Sequence, residues 1–541
     1  MKGTIREFIG SPSKVLGGAF GVGLVMLILV MIFPMIFRDS VNYMAAVNAF
    51  ELHNWRTAFN LTFVPLLFMM GAAFRPLGLN ACQCLTLVSS ALALGMLFVG
   101  YRVLSFYMDR KLAAWGSALF FITHPVFRTS FAPLTDSSRW FSTLLCWWLI
   151  LLYLKRPSWQ KLLWLGVSYA AFSLFRSEGI VFVGLFSIWF FVELCLAHAG
   201  KFTCAHLCRS ALLAAAPLLV MGVLILPRLV QMHHETGFYA LDTRQAWAIK
   251  GVVAHFYPEM AQKMTEDPLV VYASNMQFHY SYLKDSSLTS RYISSLISGN
   301  YRAYALFSLI GLIQIVRRRK WERHHTLVCV FAVVNAIAYL LMKSFAARYF
   351  YINTFLFMPF TMVGFVYVGE LIERLQGKGG DILQAAMPWI IGVVITITVL
   401  GAMKDVFSQR DRYYRTIGRY MRSATADAKT RSGTRHPVYL IVGKNYGWGF
   451  HCNGNELIYS HQFEMNVRFT LSEILSSGVP PVFCSFAVDP MDGVKVLKPD
   501  YLLFSSEPQS AELLKSCSHL VEEIPQEFSS KVSLYRVKSD N

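Results

Sequence analysis

The chain returns again and again to apolar runs long enough to cross a lipid bilayer. Each crossing takes about 20 mostly apolar residues, because a helix rises roughly 1.5 Å per residue and the hydrocarbon layer is roughly 30 Å thick. Such runs occupy residues 15–37, 80–105, 112–127, 138–154, 162–175, 179–197, 211–230, 301–316, 326–342, 349–371 and 387–403, about eleven spans in all. A single globular core has no use for this much apolar sequence. Charged residues make up 15% of the 541 and hydrophobic residues 55%, against roughly 25% charged in a soluble domain. A soluble enzyme, a disordered chain and a fibrous repeat are excluded. The expected fold class is an all-α polytopic membrane protein with a small C-terminal α/β soluble domain.

Loop charge sets the sidedness. Lys2, Arg6 and Lys14 precede the first run, which no small-residue cleavage site follows, so it reads as an uncleaved first helix with a cytoplasmic N-terminus. The alternation then places Asp109, Arg110 and Lys111, the cluster from Lys155 to Lys161, and Lys201 with Arg209 on that same side. Arg317, Arg318, Arg319, Lys320 and Arg323, and Arg374 with Lys378, join them. A miscount by one helix would scatter these clusters. The net charge of +18 is thereby explained without nucleic acid, which is not expected as a partner.

The outer segments are 38–79, 231–300 and the tail from 404. The long loop carries Trp247, Tyr257, Tyr272, Tyr280, Tyr282 and Tyr292, as suits a segment at the membrane interface. Residues 404–435 hold nine Lys and Arg against three Asp and read as a basic amphipathic juxtamembrane helix. Residues 436–541 hold eight Lys and Arg against twelve acidic residues and read as a small extracytoplasmic α/β domain. Its strands are expected at 438–442, 501–504 and 532–537, and its helices at 470–477 and 510–519.

Ten cysteines show no zinc-type spacing. Cys204 and Cys208 flank His206 and read as buried thiols at a short loop; Cys452, Cys484 and Cys517 leave room for one disulfide in the exported region. His233, His234 and Glu235 are adjacent, so they point to different faces of a helix and make a poor metal site.

Charged groups near membrane depth are costly and mark functional sites. Asp39 directly follows the first helix, where it can act as a general base, bind a metal, or cap a short helix over 40–52. Arg176 with Glu178, and Asp136 with Arg139, either form ion pairs or line a cavity. Arg348, with Lys343, stands between the ninth and tenth runs, and either binds an anion or snorkels to headgroups.

The stretch RDSVNYMAAVNAF at 38–50 resembles the first external loop of GT-C superfamily membrane glycosyltransferases. The closest group is the bacterial dolichyl-phosphate-mannose mannosyltransferase / aminoarabinose transferase-like family. Residues 53–74 resemble that family's HPPLY…G segment, with Phe63, Val64 and Pro65 in place of His-Pro-Pro. Residues 130–142 with Asp136, the turn Arg176-Ser177-Glu178-Gly179, and Ala347 to Pro359 resemble further family segments, in order, across about 15–405.

The resemblance implies transfer of a sugar from a polyprenyl phosphate to a glycan, lipid or protein acceptor at the outer face of the bacterial inner membrane. It makes Asp39 the catalytic base. Arg348, Lys343 and Arg176 become donor-phosphate ligands, a planar guanidinium being suited to two phosphate oxygens at once. Tyr43, His53, Asp136, Arg139, Glu178 and Tyr349 become cavity residues. Some members use a divalent metal and others do not, and the residues assign none. An oligosaccharide ligase of the same architecture and a lipid-linked-sugar transporter are the alternatives, though no transporter-like repeat is visible.

Overall fold

The computed structural model describes residues 11–32, 63–197, 203–242, 302–341 and 347–374. It also describes positions 35, 40, 43–44, 46–47, 50, 59, 245, 290, 292–295, 396, 400–401 and 404, and five strands within 438–537. The first helices are α1 (Pro12–Ile32), α2 (Leu66–Ala73), α3 (Ala81–Leu104), α4 (Arg110–Ile122) and α5 (His124–Ser130). Then come α6 (Asp136–Lys155), α7 (Trp159–Phe175), α8 (Gly179–Leu196) and α9 (Cys204–Thr236). The last are α10 (Arg302–Arg317), α11 (Arg323–Leu341), α12 (Tyr351–Leu356) and α13 (Met358–Arg374), with a 3₁₀ turn at Ala347–Phe350 before α12.

Helix starts follow from local chemistry. Asn80 and Gln83 exchange side-chain and backbone hydrogen bonds in a capping box that opens α3. Asp109 accepts from the Lys111 amide to open α4. Along α1, Met26 and Val30 turn inward, while Val25, Ile28 and Ile32 face outward, as a helix bathed in lipid would.

Among the described residues, Pro12–Ile32, Ala81–Leu104, Gly179–Leu196 and Cys204–His234 are each long and apolar enough to cross a membrane. Ala347–Leu356 and Met358–Leu371 form a fifth candidate bent by 59°. Several expected spans are therefore modified. The run 112–127 is not one helix: it breaks at Thr123, whose hydroxyl bonds back to the Leu119 carbonyl at 2.7 Å, and Pro125 starts α5. The run 349–371 is bent where α12 gives way to α13. The run 211–230 is the middle of the 33-residue α9. Its first turn absorbs the expected short loop, leaving Cys204 and Cys208 exposed rather than buried. The long loop accordingly begins after Thr236 rather than at 231. The span at 387–403 lies largely outside the described residues, as does the basic helix at 404–435.

Packing is closest between α10 and α13. A methyl group at Gly311 would overlap the Phe360 carbonyl, and one at Gly364 the Phe307 carbonyl, so two small residues permit the backbones to touch. Ser308 and Thr361 join hydroxyls at 2.7 Å beside them.

The C-terminal strands are β1 (Val438–Val442), β2 (Val482–Phe486), β3 (Tyr501–Ser505), β4 (Val521–Glu523) and β5 (Val532–Val537). They form one mixed sheet in the order β2-β1-β3-β5-β4. β1 pairs in parallel with β2 and β3, while β5 runs antiparallel to β3 and β4. Parallel neighbours need crossovers; the helices expected at 470–477 and 510–519 lie outside the described residues.

Candidate functional site

Turns from three separate parts of the chain meet at one end of the bundle. The first precedes α6. Arg139 lies on the opening turn of α6, its amide bonded to the Thr135 carbonyl at 3.1 Å. Its side chain, 1% exposed, donates from Nη1 to the Tyr349 carbonyl at 2.9 Å and from Nη2 to Asn335 Oδ1. Asn335 in turn donates to Asn353 Oδ1 at 3.1 Å. Arg139 thus ties α6 to α11 and to the 3₁₀ turn.

The second turn joins α7 to α8. Arg176 and Glu178 form a fork: Nη2 to Oε1 at 2.8 Å and Nε to Oε2 at 3.2 Å. Arg176 Nη1 also donates to Thr135 Oγ1 at 2.9 Å. The turn is tight because residue 179 is glycine: a Cβ there would stand 2.7 Å from the Phe172 carbonyl oxygen. Arg176 and Glu178 thus form an ion pair.

The third turn is Ala347–Phe350. Arg348 Nη1 lies 3.8 Å from Asp136 Oδ2. Its guanidinium sits 5.3 Å from the centroid of the Tyr349 ring, and Arg176 approaches the same ring at 5.3 Å. Arg348 thus turns toward Asp136 and Tyr349. Asp136 pairs with Arg348, not with Arg139 as its sequence proximity suggested.

The two described carboxylates of this cluster differ. Glu178 is bonded through both oxygens. Asp136 is 1% exposed, yet among the described residues neither of its oxygens has a hydrogen-bond partner. A buried carboxylate in that condition is costly to keep.

Six of the sequence candidates are therefore brought together: Asp136, Arg139, Arg176, Glu178, Arg348 and Tyr349. Tyr43 packs instead between Phe63 and Phe68, each ring centroid 5.2 Å away. Asp39, His53 and Lys343 lie outside the described residues. His233 stacks on Tyr239 at 4.1 Å, and among the described residues no group of three or more His, Cys, Asp or Glu gathers for a metal.

Sequence reasoning passed over several members. Arg128, on α5, acts electrostatically with Asp136 and Arg348 on the Tyr351 hydroxyl. Asn335 and Asn353 are fully buried polar residues inside apolar runs, which was the available signal. Tyr292, marked in the sequence only as one of the long loop's aromatics, donates to the Ala336 carbonyl at 2.8 Å and packs its ring 5.8 Å from Phe350. Burial raises its hydroxyl pKa.

No protein-family model matches the sequence, and no curated protein matches it by sequence. Solved structures do match the fold. ArnT from Cupriavidus metallidurans, solved bound to undecaprenyl phosphate, superposes with a TM-score of 0.56 at 11% identity, over 97% of this chain and 98% of that one. The oligosaccharyltransferase of Archaeoglobus fulgidus superposes with a TM-score of 0.56 at 12% identity, over 92% of this chain and 70% of that one. The same archaeal enzyme, AglB, in complex with an inhibitory peptide and a dolichol-phosphate, gives 0.52 at 12% identity.

The fold is that of ArnT and of the archaeal oligosaccharyltransferase, and the chain is a multi-pass membrane protein. At these identities the likeness defines the fold, and the chemistry has to be argued from the side chains.

Proposed function

We propose that this protein is a membrane glycosyltransferase that moves a sugar from a polyprenyl phosphate to a glycan, lipid or protein acceptor at the outer face of the bacterial cytoplasmic membrane. The observation that carries the reading is Asp136: a buried carboxylate with no hydrogen-bonded partner, 3.8 Å from Arg348, within a GT-C fold. The lipid phosphate bound to ArnT and the dolichol-phosphate bound to AglB support the donor class.

In the proposed reaction an acceptor hydroxyl or amine attacks the anomeric carbon. A new bond forms there as the bond from that carbon to the phosphate oxygen breaks. Asp39 takes the acceptor's proton. The departing polyprenyl phosphate gains negative charge, which Arg348, with Lys343 and Arg176, stabilises. Arg348 suits this role in its partial exposure: 17% of its side chain is open, against 7% for Arg176. Tyr43, His53, Asp136, Arg139, Glu178 and Tyr349 shape the cavity. Asp136 offers one carboxylate of the kind that holds a divalent cation.

The proposed topology has eleven spans, a cytoplasmic N-terminus, and the sheet-bearing region 436–541 outside as an α/β domain. The basic clusters support it.

A second reading, transfer of a whole oligosaccharide, is favoured by the equal TM-score to the archaeal oligosaccharyltransferase. The near-complete mutual coverage with ArnT favours the single sugar. Mass analysis of surface glycans with and without the protein separates them. A mass difference of one sugar supports the leading reading, a whole-glycan difference supports the second, and no difference overturns both.

A further inference from the structure

We propose that Arg228 is a positioning residue for the transfer site, clasping the first loop and the long loop together and, through Gln245, setting both against the turn that carries Arg176 and Glu178. The inference rests on the transfer reading above. Arg228 follows Pro227 near the end of α9 and is 5% exposed. Its Nε donates to the Leu241 carbonyl at 2.8 Å. Nη1 donates to the Phe59 carbonyl at 3.2 Å and to Gln231 Oε1 at 2.8 Å, and Nη2 donates to the Phe63 carbonyl at 3.1 Å. Gln231 Nε2 reaches the same Phe59 carbonyl at 3.3 Å. One side chain thus holds backbone from the segment after α1 and from the segment after α9.

The chain of bonds continues into the site. Leu241, whose carbonyl Arg228 takes, gives its amide to Gln245 Oε1 at 2.9 Å. Asp242 Oδ1 accepts the Gln245 amide at 2.9 Å, and the Asp242 charge acts on Arg228. Gln245 Nε2 then donates to the Ser177 carbonyl at 2.6 Å. Ser177 stands between Arg176 and Glu178.

Three properties make this a device for position. The donors go to protein acceptors, so Arg228 is not a ligand for substrate. A buried cation near membrane depth is costly, and apolar side chains would fill the space at lower cost if packing were the only need. The guanidinium is planar, so its bonds fix angles as well as distances, which an ammonium cannot do. The Ser177 turn carries Arg176 and Glu178, so the clasp sets that turn against the first loop at Phe59 and Phe63. A displacement of about 1 Å at a reacting centre costs roughly a hundredfold in rate.

The test uses the full chain in lipid nanodiscs, with Arg228→Lys, Gln245→Ala and the double variant. Arg228→Lys keeps the charge and loses the fork; Gln245→Ala cuts the tie to Ser177 and removes no charge. The readouts are binding of polyprenyl phosphate alone, kcat and KM for transfer, and hydrogen exchange of the amides of 241–245. Expected are polyprenyl-phosphate affinity and acceptor KM within about twofold of wild type, kcat lowered about tenfold or more, and faster exchange at Leu241. The double variant should lose little beyond Arg228→Lys, since both act through one clasp. Unchanged kcat in Gln245→Ala, whether or not exchange quickens, overturns the positioning role, and this variant decides the matter if Arg228→Lys does not fold. Absence of transfer by the wild type would instead overturn the proposed function, while the exchange data would still report on the clasp.

Discussion

Replacing Asp136 by asparagine separates a carboxylate kept for ligands from one kept for the fold. At 3.8 Å from Arg348, and with the effective dielectric of about 20 that suits protein sites, the pair attracts by about 4 kcal/mol. Against that stands the cost of desolvating a carboxylate that is 1% exposed and has no hydrogen bond, itself several kcal/mol. The two nearly cancel, so Asp136 contributes little net stability. Asp136→Asn keeps the shape and removes the charge. Its melting temperature in nanodiscs should lie within about 3 °C of wild type or above it, while turnover of a polyprenyl-phosphate-linked sugar falls about a hundredfold. A fall of 10 °C or so with turnover per folded molecule preserved would refute the reasoning and make Asp136 a structural counter-ion of Arg348.

Glu178→Gln should do the opposite, because it leaves the 7%-exposed Arg176 guanidinium without its bidentate partner; thermal unfolding should show a loss of about 3–5 kcal/mol. Gly364→Ala should destabilise by about 3 kcal/mol, because its methyl would overlap the Phe307 carbonyl; the fraction recovered folded from detergent reads it. Arg348→Ala should weaken polyprenyl-phosphate binding by about tenfold in a titration with that lipid, and unchanged affinity would count against the phosphate role. Asp39→Ala should abolish transfer in a protein that melts normally, and normal turnover would remove Asp39 from the mechanism.

The mouth of the bundle was legible in the sequence because its residues sit in short turns between apolar runs, where any charge is conspicuous. Asp136, Arg176, Glu178 and Arg348 all met that description. Their partners did not follow from spacing. Arg139 bonds to Asn335 and to the Tyr349 carbonyl, about two hundred residues away, rather than to Asp136 three residues before it. Helix breaks were hidden for a related reason: hydropathy sums over a window and registers neither Pro125 nor the bend before α13. In the C-terminal region β1, β3 and β5 were visible as apolar runs, and the three-residue β4 (VEE) was too polar and too short to stand out, whereas β2 (VFCSF), as long and as apolar as β3, was passed over.

The arginines explain why so much charge can be gathered at one end of an apolar bundle. Arg139, Arg176 and Arg228 each direct donors at carbonyls, amides, hydroxyls or carboxylates drawn from separate helices and loops. In a bilayer, where apolar helices gain little from facing one another instead of lipid, such bonds are a strong means of fixing how the turns meet. Two of the Arg139 donors are committed in this way, to the Tyr349 carbonyl and to Asn335 Oδ1. Asp136, three residues before Arg139, pairs instead with Arg348 at 3.8 Å and, among the described residues, has no hydrogen-bond partner for either oxygen. Bonds of this kind suit the proposed transfer, where polar groups must be in place before the charge they stabilise develops.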